Sequence, residues 1–93
     1  MLLGIYWMPL ALSDLSRLYD FLAMKDRIAA AKVVSSLVQA TQQLQEYPKI
    51  WEPLERFSPR DVRKVLIGTY EMRYEITKQR VSILRIWHTR EQR

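Results

Sequence analysis

The sequence of 93 residues contains no cysteine, only two glycines and a single histidine, His88. Without cysteine the chain has no disulfide, no thiolate nucleophile and no sulfur ligand for a metal, which fits a reducing cytoplasm. One histidine cannot build a zinc site. These absences exclude disulfide-stabilised scaffolds, cysteine enzymes and zinc domains. We predict a cytoplasmic protein with no cofactor and no metal.

The sequence also lacks an apolar run long enough to cross a membrane. Its most apolar stretch, residues 1–12, is interrupted by Pro9 and is shorter than the roughly twenty residues that a membrane-spanning helix needs. It has neither the basic start nor the small-residue cleavage site of a secretory signal. We interpret this stretch as a buried strand leading into a helix, and we expect no membrane partner.

Positive charge is concentrated in the second half of the chain. Residues 1–55 contain five Lys or Arg against six Asp or Glu, whereas residues 56–93 contain ten against four. Most of the second set are arginines, which pair bidentately with phosphates and carboxylates. The asymmetry indicates either an anionic partner, such as nucleic acid or an acidic protein segment, or a solvated basic sheet face.

Two amphipathic helices are predicted in the first half. The first follows Pro9, a residue suited to a first helical turn. The second runs from about Asp26, a good N-cap residue, to Gln45. The short join between them predicts a helical hairpin. Helical spacing gives the inward-facing residues as Ala11, Leu15, Leu18 and Leu22 on the first helix and Ile28, Val33, Leu37, Ala40 and Leu44 on the second.

A proline-rich linker at residues 47–59 separates the hairpin from the rest of the chain. Its prolines are Pro48, Pro53 and Pro59, so we expect neither a helix nor a central strand there. Trp51 in this linker, and Trp7 before the first helix, are expected to pack in the core.

Everything after the linker is predicted to be extended. The predicted strands are residues 2–7, 61–67, 70–76 and 80–88. This order of elements predicts an α+β fold, with an N-terminal strand, a two-helix hairpin and then a three-stranded antiparallel meander, the helices packing on one face of the sheet. We expect residues 1–93 to form this single domain, with 89–93 as a flexible tail.

Side-chain alternation separates the two faces of the predicted meander. The set expected to face the helices comprises Met72, Tyr74, Ile76, Leu84 and Ile86. The set expected to face solvent or a ligand comprises Glu71, Arg73, Glu75, Ile83, Arg85 and Trp87.

The order of elements and the local sequence resemble the ParE/RelE superfamily, the toxins of bacterial type II toxin–antitoxin systems. The resembling segments are MPLALSDLSRLYDFL in the first helix, AAAKVVSSLVQATQQLQEYP in the second, and VRKVLIGTYEMRYEI and VSILRIWHTR, with its closing His-x-Arg, in the strands. Together they cover nearly the whole chain. The resemblance implies a toxin that is neutralised by a cognate antitoxin protein within a hetero-oligomeric complex.

The resemblance also implies two alternative modes of action. ParE-like members inhibit DNA gyrase, whereas RelE-like members are ribosome-dependent endoribonucleases that cut mRNA. RelE-like enzymes usually carry an arginine just after a Gly-Tyr pair, but this chain has Glu71 after Tyr70, and its arginine follows only at Arg73. A carboxylate there opposes the negative charge that develops during RNA cleavage. The favoured interpretation is a ParE-like gyrase inhibitor, with the RelE-like nuclease as the alternative and an inactive member or basic adaptor as a third.

The candidate site residues follow from these alternatives. Metal-free RNA cleavage needs a base, an acid and a cation for the phosphorane charge, and the candidates for a nuclease are His88, Arg90, Arg73 and Arg85. For a gyrase inhibitor we expect no catalytic residue. In both cases the predicted target- or antitoxin-binding residues are Arg63, Lys64, Arg73, Arg85, Trp87, His88 and Arg90. The competing structural roles are a backbone hydrogen bond for the histidine and salt bridges to Glu71 and Glu75 for the strand arginines.

Overall fold

The computed structural model describes residues 3–91, and it contains a four-stranded sheet with two helices on one face. In chain order the elements are β1 (Gly4–Trp7), α1 (Pro9–Ala23), α2 (Arg27–Glu46), a one-turn 3-10 helix (Glu55–Phe57), β2 (Asp61–Ile67), β3 (Tyr70–Ile76) and β4 (Arg80–His88). This confirms the predicted α+β fold and the bounds of the three meander strands. The start of the predicted first strand, at Leu2, lies outside the described residues.

The strands are arranged in the order β1-β4-β3-β2. β2, β3 and β4 form the antiparallel meander, and β1 pairs with β4 in parallel, so that Gly4 lies beside Arg80 and Trp7 beside Ile83. Parallel strands need a long crossover connection, and the helical hairpin forms part of it. β1 and β2 are therefore the two edge strands.

Both helices begin where the local sequence predicts. Pro9 lies in the first turn of α1, and Asp26 caps α2, its Oδ1 accepting hydrogen bonds from the N–H groups of Ile28 and Ala29 at 3.0 and 3.1 Å. The cap places Ile28 in the first turn, at the tip of the hairpin, where it is 70% exposed. The prediction that Ile28 faces the core was therefore wrong. Within residues 3–91, neither helix combines the length and apolar character that a membrane span requires.

The main core lies between the hairpin and the sheet. Tyr74 is fully buried there, and its hydroxyl donates to the carbonyl oxygen of Pro48 at 2.8 Å. Burial raises the pKa of Tyr74 to about 12. Trp7 packs against this core from β1, as predicted. The other buried residues of the core are Ala11, Leu18, Leu37, Leu44, Val65, Met72, Val81, Ile83 and Ile86.

A β-bulge in β4 changes the predicted face assignments. Arg73 pairs with Arg85, but the next residue, Tyr74, pairs with Ile83, so Leu84 is the extra residue of the bulge. Ile83 is consequently buried among the core residues, whereas Leu84 is only partly buried. The predicted faces of Ile83 and Leu84 were wrong because strict alternation of side chains does not allow for an extra residue in one strand.

The middle of the proline-rich linker runs along the outer edge of β2. Pro53 bridges to Arg63, and the Leu54 N–H donates to the Val62 carbonyl at 2.7 Å. Trp51 is 37% exposed on this strap, so the prediction that it packs in the core was wrong. Pro53 and Leu54 of the linker therefore pair with β2 at the position where a fifth strand would lie.

The predicted flexible tail is partly described. Thr89 donates its N–H to the Thr69 carbonyl at 2.9 Å, and the carboxylate of Glu91 accepts hydrogen bonds from Arg17 and His88. Residues 92–93 lie outside the described residues, and the flexibility of the tail stays a prediction.

Candidate functional site

The sheet face opposite the helices carries most of the predicted binding residues, and we call it the second face. Neighbouring strands place cations side by side on it, because Lys64 is paired with Arg73 and Arg73 with Arg85. Like charges directly opposite one another are destabilising. Each cation of this row therefore needs a compensating group, and the identity of that group decides whether the cation is available to a ligand.

Arg73 is enclosed on the second face. Its guanidinium carbon lies 4.7 Å from the ring centroid of Trp87 and 5.5 Å from that of Phe57, and its Nη2 is 3.4 Å from a carboxylate oxygen of Glu71. Burial lowers the pKa of Arg73, the charge of Glu71 opposes this shift, and the charges of Arg56 and Arg85 add to it. The buried Nε has no hydrogen-bond partner among residues 3–91. Arg73 thus serves as a stacked and neutralised cation, with little of it available to a phosphate.

Trp87 lies on the second face, as alternation predicts, but it is only 6% exposed. The Arg73 guanidinium covers its ring. Val62 and Ser82 are also buried on this face, at 0% and 5% exposure. The second face therefore has a small packed cluster of its own, and Trp87 belongs to it and does not form an exposed stacking platform.

Arg85 is bound to a buried carboxylate of α1. Its Nε and Nη2 donate to the two oxygens of Asp14 at 2.8 and 3.1 Å, and Asp14 Oδ2 also accepts the backbone N–H of Ile86 at 2.9 Å. Asp14 is 4% exposed. Burial by itself would raise the pKa of Asp14, but the hydrogen bonds from Arg85 and Ile86 lower it overall. This bidentate contact holds α1 against the part of β4 that extends beyond β1.

A second carboxylate, that of Glu91, also binds a backbone N–H group of β4 beyond the end of β1. Glu91 Oε1 accepts the His88 N–H at 2.9 Å, and Glu91 Oε2 accepts from Arg17 Nη1 at 2.8 Å. Arg17 Nη2 is also 3.4 Å from Asp14. The network Arg85–Asp14–Arg17–Glu91 was missed at the level of sequence because Arg85 lies 71 residues from Asp14 and Glu91 lies 74 residues from Arg17. Only the Asp14–Arg17 contact is local.

His88 has its Nδ1 occupied as an acceptor. The Arg90 backbone N–H donates to it at 3.0 Å, and the imidazole makes an edge contact with the Tyr70 ring, with centroids 5.2 Å apart. In the neutral ring an accepting Nδ1 places the hydrogen on Nε2, so Nε2 is a hydrogen-bond donor in this geometry. The competing structural role for the strand-end histidine is therefore present, and the Arg90 side chain beside it is exposed.

Arg63 and Lys64 are adjacent but differ in availability. Arg63 donates to Asp61 at 2.8 Å and to the carbonyl oxygens of Lys49 and Trp51, and its side chain is 12% exposed. Lys64 is exposed. It borders a shallow groove of about 350 Å³ whose other lining residues are Trp51, Glu52, Pro53, Leu54 and Leu66.

The predicted site residues therefore do not converge on one reaction centre. His88 is paired with Tyr70, whose ring packs against the main core, whereas Arg73 lies on the second face. Arg85 is bound to Asp14 at the strand edge. Of the seven predicted binding residues, Lys64 and Arg90 are exposed, and the others are partly or fully buried.

A second groove, which we call the hairpin groove, opens between α2 and the β2–β3 turn. It also measures about 350 Å³, and its lining residues are Val33, Ser36, Leu37, Ile67, Gly68, Thr69 and Tyr70. Gly68 has φ +61°, in the left-handed region that favours glycine. The groove is mostly apolar.

Comparisons with known proteins agree with this architecture. Residues 5–93 match the family described as the ParE toxin of type II toxin–antitoxin systems, parDE. The fold is similar to the chromosomal ParDE system from P. aeruginosa, with 21% identity, a TM-score of 0.76 and coverage of 94% of this chain and 96% of that chain.

A second similar structure is the toxin–antitoxin complex RelBE2 from Mycobacterium tuberculosis, with 23% identity, a TM-score of 0.73 and coverage of 95% of this chain and 99% of that chain. No match is found among curated proteins. At these identities the two structures show a shared fold, whereas the family match spans almost the whole sequence. The chain therefore belongs to the ParE toxin family of type II toxin–antitoxin systems, within the superfamily that its sequence resembles.

Proposed function

We propose that this toxin inhibits DNA gyrase by binding it, without cutting RNA, and that a cognate antitoxin neutralises it. The main support for the proposal is that Arg73 and Arg85, the two arginines of the strands, are already bound by other residues of the chain. Arg73 is stacked between Phe57 and Trp87, and Arg85 is held by Asp14.

The positions of Arg73, Glu71 and His88 do not meet the requirements of RNA cleavage. Transition-state stabilisation requires donors aimed at the position where charge develops. Glu71 lies 3.4 Å from the guanidinium of Arg73, so a phosphorane brought to that cation would meet a carboxylate. The Nδ1 lone pair of His88, which a general base would need, is engaged by the backbone N–H of Arg90. Binding to a large protein target needs none of these groups to be free.

The hairpin groove is the proposed site for part of the antitoxin. Its apolar lining, including Val33, Leu37 and Tyr70, suits the apolar side of a helical or extended segment. The net charge of the chain is +5, which favours an acidic partner. The two similar structures are described as a toxin–antitoxin system and a toxin–antitoxin complex, which supports a partner of this kind.

Induced expression in a bacterial host tests the mode of action. We expect growth arrest with DNA damage while protein synthesis, followed by amino-acid labelling, continues at first. A His88→Ala/Arg90→Ala double variant should arrest growth in the same way, more weakly if these predicted binding residues contact the target, because neither side chain has a catalytic role. Early collapse of translation with cut messages in the unmodified chain, abolished in the double variant, would contradict the proposal.

The alternative of a RelE-like, ribosome-dependent nuclease is favoured by one observation. His88 and the exposed Arg90 lie two residues apart at the end of β4, where the imidazole could act as a donor and the guanidinium as a cation. This alternative predicts that the double variant folds normally, as shown by circular dichroism, but loses its toxicity.

A further inference from the structure

The shallow groove between the proline-rich linker and β2, which we call the strap groove, has exposed apolar walls. Its lining residues are Trp51, Glu52, Pro53, Leu54, Lys64 and Leu66. Trp51 is the most exposed of the three tryptophans, at 37%, and Leu66 is 53% exposed. Ile50, the neighbour of Trp51 in the chain, is 57% exposed. A partner seated here would remove this apolar surface from water, which favours binding.

Hydrogen bonds hold the linker side of the strap groove in place. The Arg63 guanidinium donates to the backbone carbonyl oxygens of Lys49 and Trp51. The Leu54 N–H donates to the Val62 carbonyl oxygen at 2.7 Å. Because these bonds fix the linker against β2, the groove is formed before a partner arrives, and binding requires little ordering of the backbone.

The strand side of the strap groove offers backbone groups as well. Val62 directs its carbonyl oxygen towards the linker, and alternate residues of a strand direct their backbone groups to the same side, so Leu66 points the same way. The linker bridges to β2 at Pro53 and Arg63, and within residues 3–91 no strand pairs with this edge of the sheet. The N–H and C=O groups of Leu66 therefore suit an extended segment.

The charges around the strap groove indicate the chemistry of its partner. Lys64 lines the groove and Lys49 lies two residues before Trp51, and both lysines are exposed. Glu52 is the one acidic residue of the lining. This excess of positive charge, like the net charge of +5 of the whole chain, favours an acidic segment. A second copy of the chain is a poorer occupant, because it carries the same positive charge.

The strap groove and the hairpin groove open on opposite faces of the sheet. Leu66 lines the strap groove and Ile67 lines the hairpin groove, and consecutive residues of a strand face opposite sides. An antitoxin segment in the hairpin groove would therefore leave the strap groove open to another protein.

We propose that the strap groove is a contact site for the protein target of the toxin, and that it takes an apolar side chain from an acidic, extended segment of that target. This inference rests on the proposed inhibition of gyrase and deepens it. Arg73 and Arg85 are engaged within the chain, whereas Lys64 is exposed and borders an apolar groove. A tryptophan beside a charged rim is the composition that binding hot spots favour.

Truncation of Trp51 tests the proposal in a gyrase supercoiling assay with the full chain. Trp51→Ala removes one wall of the groove but keeps the backbone carbonyl that Arg63 binds. The matched control is Phe21→Ala, which truncates an aromatic residue that is 71% exposed on α1. We expect Trp51→Ala to need at least about tenfold more protein for half-inhibition, whereas Phe21→Ala should match the unmodified chain. Circular dichroism establishes that both variants are folded.

Charge reversal at the rim provides a second variant, which decides if Trp51→Ala does not fold. Lys64→Glu places a carboxylate opposite the acidic segment and should weaken inhibition about tenfold at low salt, and less at high salt because ions screen exposed charges. Lys78→Glu is the matched control, since it makes the same change at an exposed lysine in the β3–β4 turn. We expect this control to inhibit as the unmodified chain does.

Several results would overturn the inference, and they differ from failure of the proposed function. Full inhibition by folded Trp51→Ala and Lys64→Glu, or an equal loss in the two controls, would remove the strap groove from the target contact. Full inhibition with weaker binding of the purified product of the small reading frame that neighbours the toxin gene would assign the groove to the antitoxin. If the unmodified chain does not inhibit gyrase, the proposed function fails, and this inference fails with it.

Discussion

Replacing Asp14 by asparagine should test the ion pair that joins α1 to β4. The variant keeps the shape of the side chain, but its amide group can accept only at one atom, whereas Arg85 and Ile86 present three donors to the carboxylate. Breaking a buried pair by removing one partner costs about 3–5 kcal/mol. Because the Arg85 side chain is 34% exposed and can turn to water, we expect a smaller loss, about 2–3 kcal/mol.

Urea unfolding followed by tryptophan fluorescence measures this loss. The midpoint should fall at an unchanged slope, and in a thermal scan the loss corresponds to a melting temperature lower by roughly 10–20 °C for a domain of this size. Asp20→Asn is the matched control, since Asp20 lies on the same helix and is exposed; its stability should change by no more than about 0.5 kcal/mol. An Asp14→Asn variant as stable as the Asp20→Asn control would refute the reasoning.

The same contact predicts a dependence on pH. The pKa of Asp14 is lower in the folded state than its ordinary value of 3.8. A lowered carboxyl pKa contributes stability that is fully present above the unfolded-state value and is lost as the pH falls through the folded-state value. The difference in stability between the unmodified chain and Asp14→Asn should therefore be constant near neutral pH and shrink below about pH 4.

Three further substitutions test separate parts of the structure. Tyr74→Phe removes the hydrogen bond to Pro48 and should cost about 1 kcal/mol in urea unfolding. Because the pKa of Tyr74 is raised to about 12, its contribution is present below the unfolded value of about 10 and is lost as the pH rises towards 12, a loss that the variant should lack. Gly68→Ala should cost about 1 kcal/mol from its φ of +61° alone, since nothing lies within 4 Å of the added Cβ, and an equal midpoint would contradict this. Arg73→Leu should shift the fluorescence of Trp87 by uncovering its ring while gyrase inhibition persists; loss of inhibition in the folded variant would assign Arg73 a role in the target contact.

Local patterns were sufficient to predict the order of elements. The alternation of side chains from Asp61 to His88 is interrupted by Gly68 and by the turn after Ile76, and these interruptions mark the bounds of the meander strands. Both signals can be read from neighbouring residues, because strand alternation and turn-forming residues are local features of a sequence. The cap at Asp26 is equally local, since its carboxylate bonds to the next turn of its own chain.

The features that were mispredicted depend on tertiary packing. The bulge at Leu84 reverses the faces of Ile83 and Leu84, and no residue type marks it. Trp51 is exposed because its segment follows the edge of β2, a path that apolar character alone does not reveal.

The candidate site was predicted only in part, for a related reason. Sequence alternation places Arg73 and Trp87 on one face, and the structure agrees, but their mutual burial depends on a stacked contact between adjacent strands. Arg85 looked available to a ligand because its partner, Asp14, lies 71 residues away. Long-range charge pairing of this kind decides which cations can reach a target, and it leaves no signal in the local sequence.

The most direct test of the central claim is a gyrase supercoiling assay with the purified chain, run beside a ribosome-dependent mRNA cleavage assay. We predict that the unmodified chain and the His88→Ala/Arg90→Ala variant both inhibit supercoiling and that neither cuts mRNA. Unimpaired supercoiling together with cleavage of ribosome-bound mRNA by the unmodified chain would contradict the account.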